Sequence, residues 1–259
     1  MAFDPAVSLR ILNNERLRRA THWGEYLDLG GALALTSDAP TEDLNCIESF
    51  TTDGRRLDAL LDIGFSLLRA YDRAPAVRLT PLDRPRGIEK ALAGRGLRVL
   101  ERSVAMAFRG RVSAIHTNPE VEVRVAAAED TLAVRDVLAP PSAPAWLRRM
   151  VRQAMVSSLS EPWHTFYVAY LRGEPASTLH LLCEGGTAGI YGVATLKAHR
   201  RQRLLATLMA RALADAAAAG CDLVGLRTAA GGEARAVFER LGFEVAHEQV
   251  LWAAPAAPA

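Results

Sequence analysis

The chain has 259 residues, half of them hydrophobic, and a formal net charge of +2 at neutral pH. This length allows one large domain or two ordinary ones, and the apolar fraction is sufficient for buried cores, so the composition predicts a globular protein. The near-neutral charge gives no electrostatic reason to expect a nucleic-acid or membrane partner.

The sequence shows neither a long apolar run nor a basic segment followed by an apolar one at its start. We therefore expect no membrane span, no secretion signal and a cytoplasmic location. Three widely separated cysteines, Cys46, Cys183 and Cys221, favour reduced core thiols over disulfides or a metal site. Only Lys90 and Lys197 of the 31 basic residues are lysine, a bias that, with the high alanine content, is typical of a GC-rich bacterial gene.

In the first part of the chain, apolar runs bounded by turn residues alternate with helix-like stretches. We predict, in chain order, a helix-rich lead-in over 7–26, strands over 32–36 and 44–52, a helix over 55–71, a strand over 76–80, a helix over 84–93 and a strand over 98–108. A polar segment without apolar periodicity follows and is predicted to be a linker.

The second part continues the alternation of strands and helices. We predict a strand over 121–125, a helix opened by Glu129 and Asp130, a helix over 145–159, a hairpin of strands over 165–171 and 177–183, a strand over 189–196, a helix over 201–219, a strand over 222–228, a helix over 232–241 and a strand over 244–253. This alternation indicates an α/β layer structure.

The order strand, helix, strand, helix, glycine, strand occurs twice, once over 44–108 and once over 189–253. The match is closest at Gly96 and Gly242, which each follow a short helix and precede a strand, where a left-handed backbone favours glycine. The repeat predicts two related domains. The predicted division is a truncated copy over 1–110, a linker over 111–119 and a complete copy over 120–259.

The most informative segment runs from Gly189 to Leu213, where an apolar strand enters a basic turn and then a helix rich in alanine and leucine. Unpaired backbone N–H groups, the positive end of the helix dipole and the basic side chains would face one point, which favours phosphate binding. The segment therefore predicts a phosphorylated cofactor. Its basic residues are His199, Arg200, Arg201 and Arg203.

This segment resembles the acyl-CoA-binding motif of the GNAT superfamily of N-acetyltransferases, in which a splayed strand precedes a turn of the form Arg/Gln-x-x-Gly-x-Gly/Ala. Arg201 and Ala206 match the first and last positions, and Leu204 replaces the central glycine. The element order over 121–252 is also similar to that of GNAT domains. The resemblance implies an α/β fold with a mixed α+β sheet, built of two GNAT-like halves in tandem, the first of them degenerate and truncated.

The resemblance also implies acetyl-CoA, or another short acyl-CoA, as co-substrate. The backbone of Val193, Ala194 and Thr195 would pair with the pantetheine arm, and the next turn would receive the pyrophosphate. The Leu204 side chain would obstruct the diphosphate, and arginines would compensate through charge-assisted bonds. The alternative is a merely solvated basic helix start. The residues assigned to the pyrophosphate site are Arg200, Arg201, Gln202, Arg203, Leu204, Leu205 and Ala206.

In GNAT enzymes a substrate amine usually attacks the thioester directly, and many relatives use a tyrosine donor on the last helix, preceded seven residues earlier by an asparagine. Those positions here are Phe238 and Gly231, so both polar groups are missing, and Phe238 is expected in the core. The remaining catalytic candidates are Tyr191 on the splayed strand and His180 on the strand before it. Glu48, the first-half counterpart of Tyr191, is a further candidate, and each of the three could instead be a structural residue.

The first-half counterpart of the phosphate turn carries Asp53 and Asp58 beside its arginines. Carboxylates there would repel a diphosphate. We therefore expect this copy to bind no acyl-CoA and to wall off the substrate cleft of the second copy.

The sequence thus predicts an acyltransferase that moves acetyl from acetyl-CoA to the primary amine of a small molecule or peptide, with the cofactor in the second half. The first alternative is an inactive GNAT-like binding or interaction module. A third interpretation is nucleic-acid association through Arg148, Arg149 and Arg152, which we do not expect because it depends on three charges alone. We expect no metal, no membrane partner, and a monomer or homodimer.

Overall fold

One continuous mixed sheet with helices on both faces forms the framework of the protein. The computed structural model describes residues 3–255, and eleven strands within that range join into the sheet. The predicted α/β class with a mixed sheet is confirmed. None of the helices in the described range combines the length and apolarity needed to cross a membrane.

The elements follow the predicted order closely. The helices are α1 Pro5–His22, α2 Leu57–Ala70, α3 Ile88–Gly94, α4 Thr131–Leu138, α5 Ala145–Ser158, α6 Leu204–Ala218 and α7 Glu233–Arg240. The strands are β1 Gly24–Asp28, β2 Leu33–Ser37, β3 Cys46–Glu48, β4 Ala76–Leu79, β5 Arg98–Phe108, β6 Val121–Val125, β7 His164–Leu171, β8 Glu174–Glu184, β9 Thr187–Thr195, β10 Leu223–Ala229 and β11 Phe243–Ala253.

The first strand of the sheet was not predicted. The lead-in helix ends at His22 instead of residue 26, and the chain turns into β1, which forms an antiparallel hairpin with β2. Gly30 and Gly31, both at positive φ, make the hairpin loop, and the Asp28 carboxylate accepts the Gly30 N–H at 2.7 Å. Because the residues before these glycines show no clear strand periodicity, the turn alone was a weak signal for β1.

The last strand of each half lies within the other half. The strand order is β1-β2-β3-β4-β11-β5-β10-β9-β8-β7-β6. Thus β11 lies between β4 and β5, and β5 lies between β11 and β10. The predicted repeat is visible as β3-α2-β4-α3-β5 and β9-α6-β10-α7-β11. The two segments on either side of the predicted linker therefore share one sheet through the antiparallel pair of β5 and β11.

Helix α1 lies on the face of the sheet opposite to α6. Ile190 of β9 belongs to the core beneath α6, whereas its neighbours Gly189 and Tyr191 contact α1, as the alternation of a strand requires. A Cβ at Gly189 would lie 2.0 Å from Asn14 Oδ1, and one at Gly225 would lie 2.8 Å from the Ile11 side chain. Glycine at these positions therefore lets α1 lie directly on β9 and β10.

Candidate active site

Strands β9 and β10 run parallel and then part. They pair over four positions, the last being Ile190 with Leu226, after which β9 continues beside β8 and β10 beside β5. Gly192, at a φ of +52°, lies at the bend, and the ladder between β8 and β9 shifts register beside it. The β9 edge from Tyr191 to Thr195, which includes the predicted pantetheine-binding residues, consequently faces a gap where β10 would otherwise pair.

A cavity of about 210 Å³ occupies this gap. It passes through the sheet, because Phe238 of α7 lines it from one face and Arg18 of α1 lines it from the other. Its volume is smaller than that of a typical pocket for a whole small molecule, so it suits one end of an extended ligand. The lining residues are Glu15, Arg18, Ile190, Tyr191, Gly192, Val193, Leu226, Arg227 and Phe238.

The polar wall of the cavity comes mainly from α1, which our sequence interpretation did not assign to the site. Val7 and Ile11 lie on the buried face of this helix and pack with Leu223 of β10. Continuing their spacing along the helix brings polar side chains onto the same face, and this signal could have revealed the wall. These polar residues are Asn14, Glu15, Arg18 and His22.

Glu15 and Arg227 are neutralised by each other and by further buried groups. The Glu15 carboxylate lies 2.5 Å from Arg19 and 3.0 Å from Arg227, and Gln249 donates to its second oxygen at 3.2 Å. Burial raises the pKa of Glu15, but the guanidinium groups of Arg19, Arg227 and Arg78 outweigh burial and hold the pKa at about 2. Glu15 is therefore a poor proton acceptor at neutral pH.

Glu48, the first-half candidate, belongs to the same ion network. Its carboxylate lies 2.9 Å from Arg19, 3.3 Å from Arg16 and 3.4 Å from Arg78, and the Tyr26 hydroxyl donates to it at 3.1 Å. Glu48 is 4% exposed. Because its two oxygens are bound by these four partners, its place in the fold is structural.

Arg18 differs from every other charged residue of the cavity in having no ionic partner. Among residues 3–255 it forms no hydrogen bond or ion pair, and its Nε is buried without a partner. Its guanidinium lies over the Tyr191 ring, 4.4 Å from the ring centroid, and 5.8 Å from that of Trp23. Burial lowers the pKa of Arg18, and the positive charges of Arg19 and Arg227 act in the same direction.

The two catalytic candidates occupy different environments. Tyr191 lines the cavity, its hydroxyl donates to Asn14 Oδ1 at 2.7 Å, and burial raises its pKa above the ordinary value. His180 is 2% exposed and lies outside the lining, with its ring stacked on Phe166 and its Nε2 2.8 Å from His164 Nδ1. Burial holds the pKa of His180 well below the ordinary value, so its ring is neutral.

His22, His164 and His180 form a histidine cluster whose ligand atoms all lie within 4.8 Å of one another, the one group in the described range that could jointly hold a metal ion. His22 Nε2 lies 2.7 Å from Ser158 Oγ. Burial is the main reason that the pKa is lowered to about 3 for His22 and about 4 for His164, and Arg18 contributes to both shifts. A divalent ion would add charge beside Arg18 without any carboxylate in the group, so the arrangement favours neutral, hydrogen-bonded imidazoles.

The predicted phosphate turn leads from β9 into an uncapped helix. No side chain caps the start of α6, and its first turn contains no acidic residue. Arg200, Arg201 and Arg203 are exposed, and within the described part of the chain they form no ion pair. The Asn118 side-chain amide donates to the Gln202 carbonyl at 3.0 Å and braces the turn. Open N–H groups beside three free guanidinium groups form an arrangement suited to an anion.

The predicted obstruction by Leu204 is wrong. Leu204 is 1% exposed, and its side chain packs in the core beneath α6, so only its backbone can face the turn. Arg201 and Arg203 have φ values of +64° and +58°, in the left-handed region that glycine occupies with least strain. The position that favours glycine is therefore Arg203, one residue before the predicted one. The remaining predicted residues, Gln202, Leu205 and Ala206, are half-buried.

The prediction that Phe238 is a core residue is confirmed. Phe238 is 7% exposed, and its ring centroid lies 6.0 Å from that of Phe243. It also forms an apolar part of the cavity wall. Gly231 is exposed. Neither position can donate a proton from a side chain.

In the first half, the gap corresponding to that between β9 and β10 is occupied by the chain itself. Strands β3 and β4 pair at a single position and then part. The buried Asp83 carboxylate fills the space beyond, accepting the Phe50 N–H and the Thr80 N–H, both at 2.6 Å. Backbone groups that would otherwise be available to a ligand are thereby bound to Asp83.

Comparison with known proteins finds a family model for part of the chain and solved structures of the same fold. The model of the acetyltransferase (GNAT) family matches residues 131–243. A GCN5-related N-acetyltransferase from Kribbella flavida is similar at a TM-score of 0.73 and 20% identity, over 99% of this chain and 98% of that one. A tandem GNAT protein from the clavulanic acid biosynthesis pathway is similar at a TM-score of 0.66 and 16% identity, over 88% of this chain and 80% of that one.

A GCN5-related N-acetyltransferase from Sphaerobacter thermophilus is similar at a TM-score of 0.63 and 17% identity, over 92% of this chain and 84% of that one. No curated protein sequence matches the chain significantly. At these identities the solved structures establish the fold, and their agreement over most of the chain supports the tandem arrangement in part. The family model covers the segment that contains the parted strands and the basic turn. Residues 131–243 therefore match the acetyltransferase (GNAT) family, and the chain as a whole has the fold of GNAT acetyltransferases.

Proposed function

We propose that the protein is an acyl-CoA-dependent N-acyltransferase that moves acetyl, or another short acyl group, from CoA to a primary amine. The cofactor would bind to the C-terminal half. The observation that carries this proposal is the continuity of two features: the cavity between β9 and β10, and the uncapped start of α6 into which β9 leads. An acyl-CoA is an extended ligand with a thioester at one end and a diphosphate further along, and these features suit its two parts.

The proposed cofactor contacts follow from this placement. The open edge of β9 offers the backbone of Val193, Ala194 and Thr195 to the pantetheine arm. The first N–H groups of α6 and the three exposed arginines of the turn would bind the diphosphate. Neutralising these arginines with an anion also removes their unfavourable interaction with the positive end of the helix dipole.

The chemistry proposed at the cavity is direct transfer. The amine nitrogen attacks the thioester carbonyl carbon, a C–N bond forms, the C–S bond breaks, and the amine loses a proton to water. Tyr191 is the proposed proton donor to the departing thiolate, because it lines the cavity and its hydroxyl is protonated at neutral pH. Water then restores the tyrosine proton. His180 does not reach the cavity, so the catalytic proposal depends on Tyr191.

The absence of side-chain donors at Phe238 and Gly231 supports a second candidate function, a GNAT-like module that binds a ligand without turnover. This alternative keeps the cavity and the basic turn but assigns them to sensing or interaction. Binding and turnover therefore have to be measured separately.

Isothermal titration with acetyl-CoA tests the cofactor site. We expect saturable binding, and we expect the pair Arg200→Ala and Arg201→Ala to weaken it by about tenfold or more, because two charge-assisted contacts are lost. The matched control is Arg149→Ala with Arg152→Ala, which removes two exposed arginines from α5. No binding by the unmodified protein, or equal weakening in both double variants, would contradict the proposed site.

Release of free thiol from acetyl-CoA in the presence of an amine panel tests turnover. We expect Tyr191→Phe to lower kcat while leaving acetyl-CoA binding nearly unchanged. Tyr71→Phe, at an exposed tyrosine that does not line the cavity, is the control. Saturable binding without thiol release across the panel would favour the non-catalytic module.

A further inference from the structure

Arg18 is the one charged side chain of the cavity lining without an ionic partner among the described residues, and the proposed reaction gives it no role. It lines the cavity on the α1 face, beside Tyr191 and Val193. The guanidinium is partly removed from water, its Nε is fully buried, and it has no hydrogen-bond or ionic partner in the described chain. A cation held in this way destabilises the fold unless something with negative charge approaches it.

Within residues 3–255, no carboxylate near Arg18 is free to neutralise it. Glu15, on the same wall, is bound to Arg19, Arg227 and Gln249. The other carboxylates of the network, those of Glu48 and Asp43, are likewise bound to arginines. The histidine cluster behind Arg18 is neutral, and so is Tyr191. The wall therefore presents one uncompensated positive charge to the cavity.

The orientation of Arg18 is fixed by stacking. Its guanidinium carbon lies 4.4 Å from the centroid of the Tyr191 ring, and such a cation–π contact holds the group flat. A stacked guanidinium keeps the N–H groups of its edge available, and their fork matches the two oxygens of a carboxylate. The opposite end of the cavity, at Phe238, is apolar. Arg18 thus lies at the polar end of a cavity that crosses the sheet.

We infer that Arg18 binds a carboxylate of the substrate at the acyl-transfer site, an inference that rests on the proposed function. A single negative charge suits a single uncompensated cation. The carboxylate could belong to the amine acceptor, as in an amino acid, or to the acyl group, as in the thioester of a dicarboxylic acid. Both sources place the same chemical group against the same guanidinium.

Matched substrate pairs test the inference and separate the two sources. For the acceptor, thiol release from acetyl-CoA is measured with a panel of amino acids and with the primary amides of the same amino acids. For the acyl group, binding of succinyl-CoA is compared with binding of butyryl-CoA by titration, since the two differ chiefly in the terminal carboxylate. In one of these two comparisons we expect the carboxylate-bearing compound to be preferred over its neutral counterpart by about tenfold or more, the effect of one hydrogen-bonded charge pair.

The Arg18→Gln variant should abolish that preference while leaving the neutral member of the pair nearly unaffected. Arg18→Lys should retain part of the preference for the carboxylate, because the positive charge remains while the paired N–H donors of the guanidinium are lost. Arg10→Gln, on α1 but outside the cavity lining, is the control. The comparison within unmodified protein decides the question even if Arg18→Gln does not fold.

The outcomes distinguish this inference from the function on which it rests. If acetyl-CoA binds and neutral amines are acetylated as well as carboxylated ones, with no preference in the acyl arm, the carboxylate site is refuted and the transferase proposal stands. An equal loss on charged and neutral substrates in Arg18→Gln would show that Arg18 acts on the shared thioester, which also refutes it. If no acyl-CoA binds at all, both proposals fail together.

Discussion

Replacing Glu48 by glutamine removes a buried carboxylate that contacts three guanidinium groups. The change keeps the shape of the side chain and abolishes its charge. Breaking a buried ion pair from one side costs about 3–5 kcal/mol of unfolding free energy, because the partner is left uncompensated. Arg19 retains Glu15 and Arg78 retains Asp43. We therefore expect the lower end of this range, about 3 kcal/mol.

Urea unfolding followed by circular dichroism measures this loss, and thermal unfolding gives an independent value. For a chain of this size, about 3 kcal/mol corresponds to a decrease in Tm of roughly 6–12 °C. Glu25→Gln, an exposed glutamate on β1, is the control and should change the unfolding free energy by less than about 0.5 kcal/mol. A loss below about 1 kcal/mol for Glu48→Gln would refute the view that this network is held by charge.

Four further predictions concern pH, packing at Gly189, cofactor stoichiometry and the Asp83 carboxylate. Stability should decrease as the pH falls from about 6.5 to about 4, because the pKa values of the histidine cluster are lower in the folded protein than in the unfolded chain, so that the unfolded chain takes up protons first. Each ring contributes up to about 1.4 kcal/mol per pH unit to this loss. A Tm that stays constant over this pH window would oppose the assignment of neutral histidines. Gly189→Ala should destabilise the fold by about 1–3 kcal/mol in urea unfolding, because the methyl group would overlap Asn14, whereas Gly94→Ala, with open space around it, should not. Acetyl-CoA should bind with a stoichiometry of about one per chain in isothermal titration, and a stoichiometry of two would contradict the closure of the first-half gap. Asp83→Ala should lower the unfolding free energy by about 2–4 kcal/mol in urea unfolding, because the N–H groups of Phe50 and Thr80 lose their acceptor.

Local sequence signals predicted most of the elements of the fold. Strand and helix periodicity placed β6, α5, β9 and β11 within a few residues of their observed ends. The glycines at 96 and 242 revealed the internal repeat because both follow short helices and precede strands. The basic turn before α6 was equally visible, since the sequence from Arg200 to Arg203 specifies charge directly. These features depend on residues close in sequence, so the local sequence pattern is sufficient to predict them.

Predictions that needed long-range information were less complete. The register of the phosphate turn was misjudged by one residue, because only the backbone shows that Arg203 is left-handed and that Leu204 points into the core. The cavity wall formed by Glu15 and Arg18 was missed, although their helical spacing after Ile11 places both residues on the buried side of α1. The sequence does not show which strands that side meets.

The sequence by itself determined the α/β alternation, the repeated element order and a basic helix start suited to phosphate, because periodicity, glycine at left-handed positions and local charge act over a few residues. The tertiary structure alone decided that β5 and β11 each lie among the strands of the other half, that α1 lines the gap between β9 and β10, and that Arg18 has no ionic partner in the described range. These outcomes depend on contacts between residues far apart in the chain. The register of the sheet selects which of those residues meet, and the local sequence pattern does not specify it.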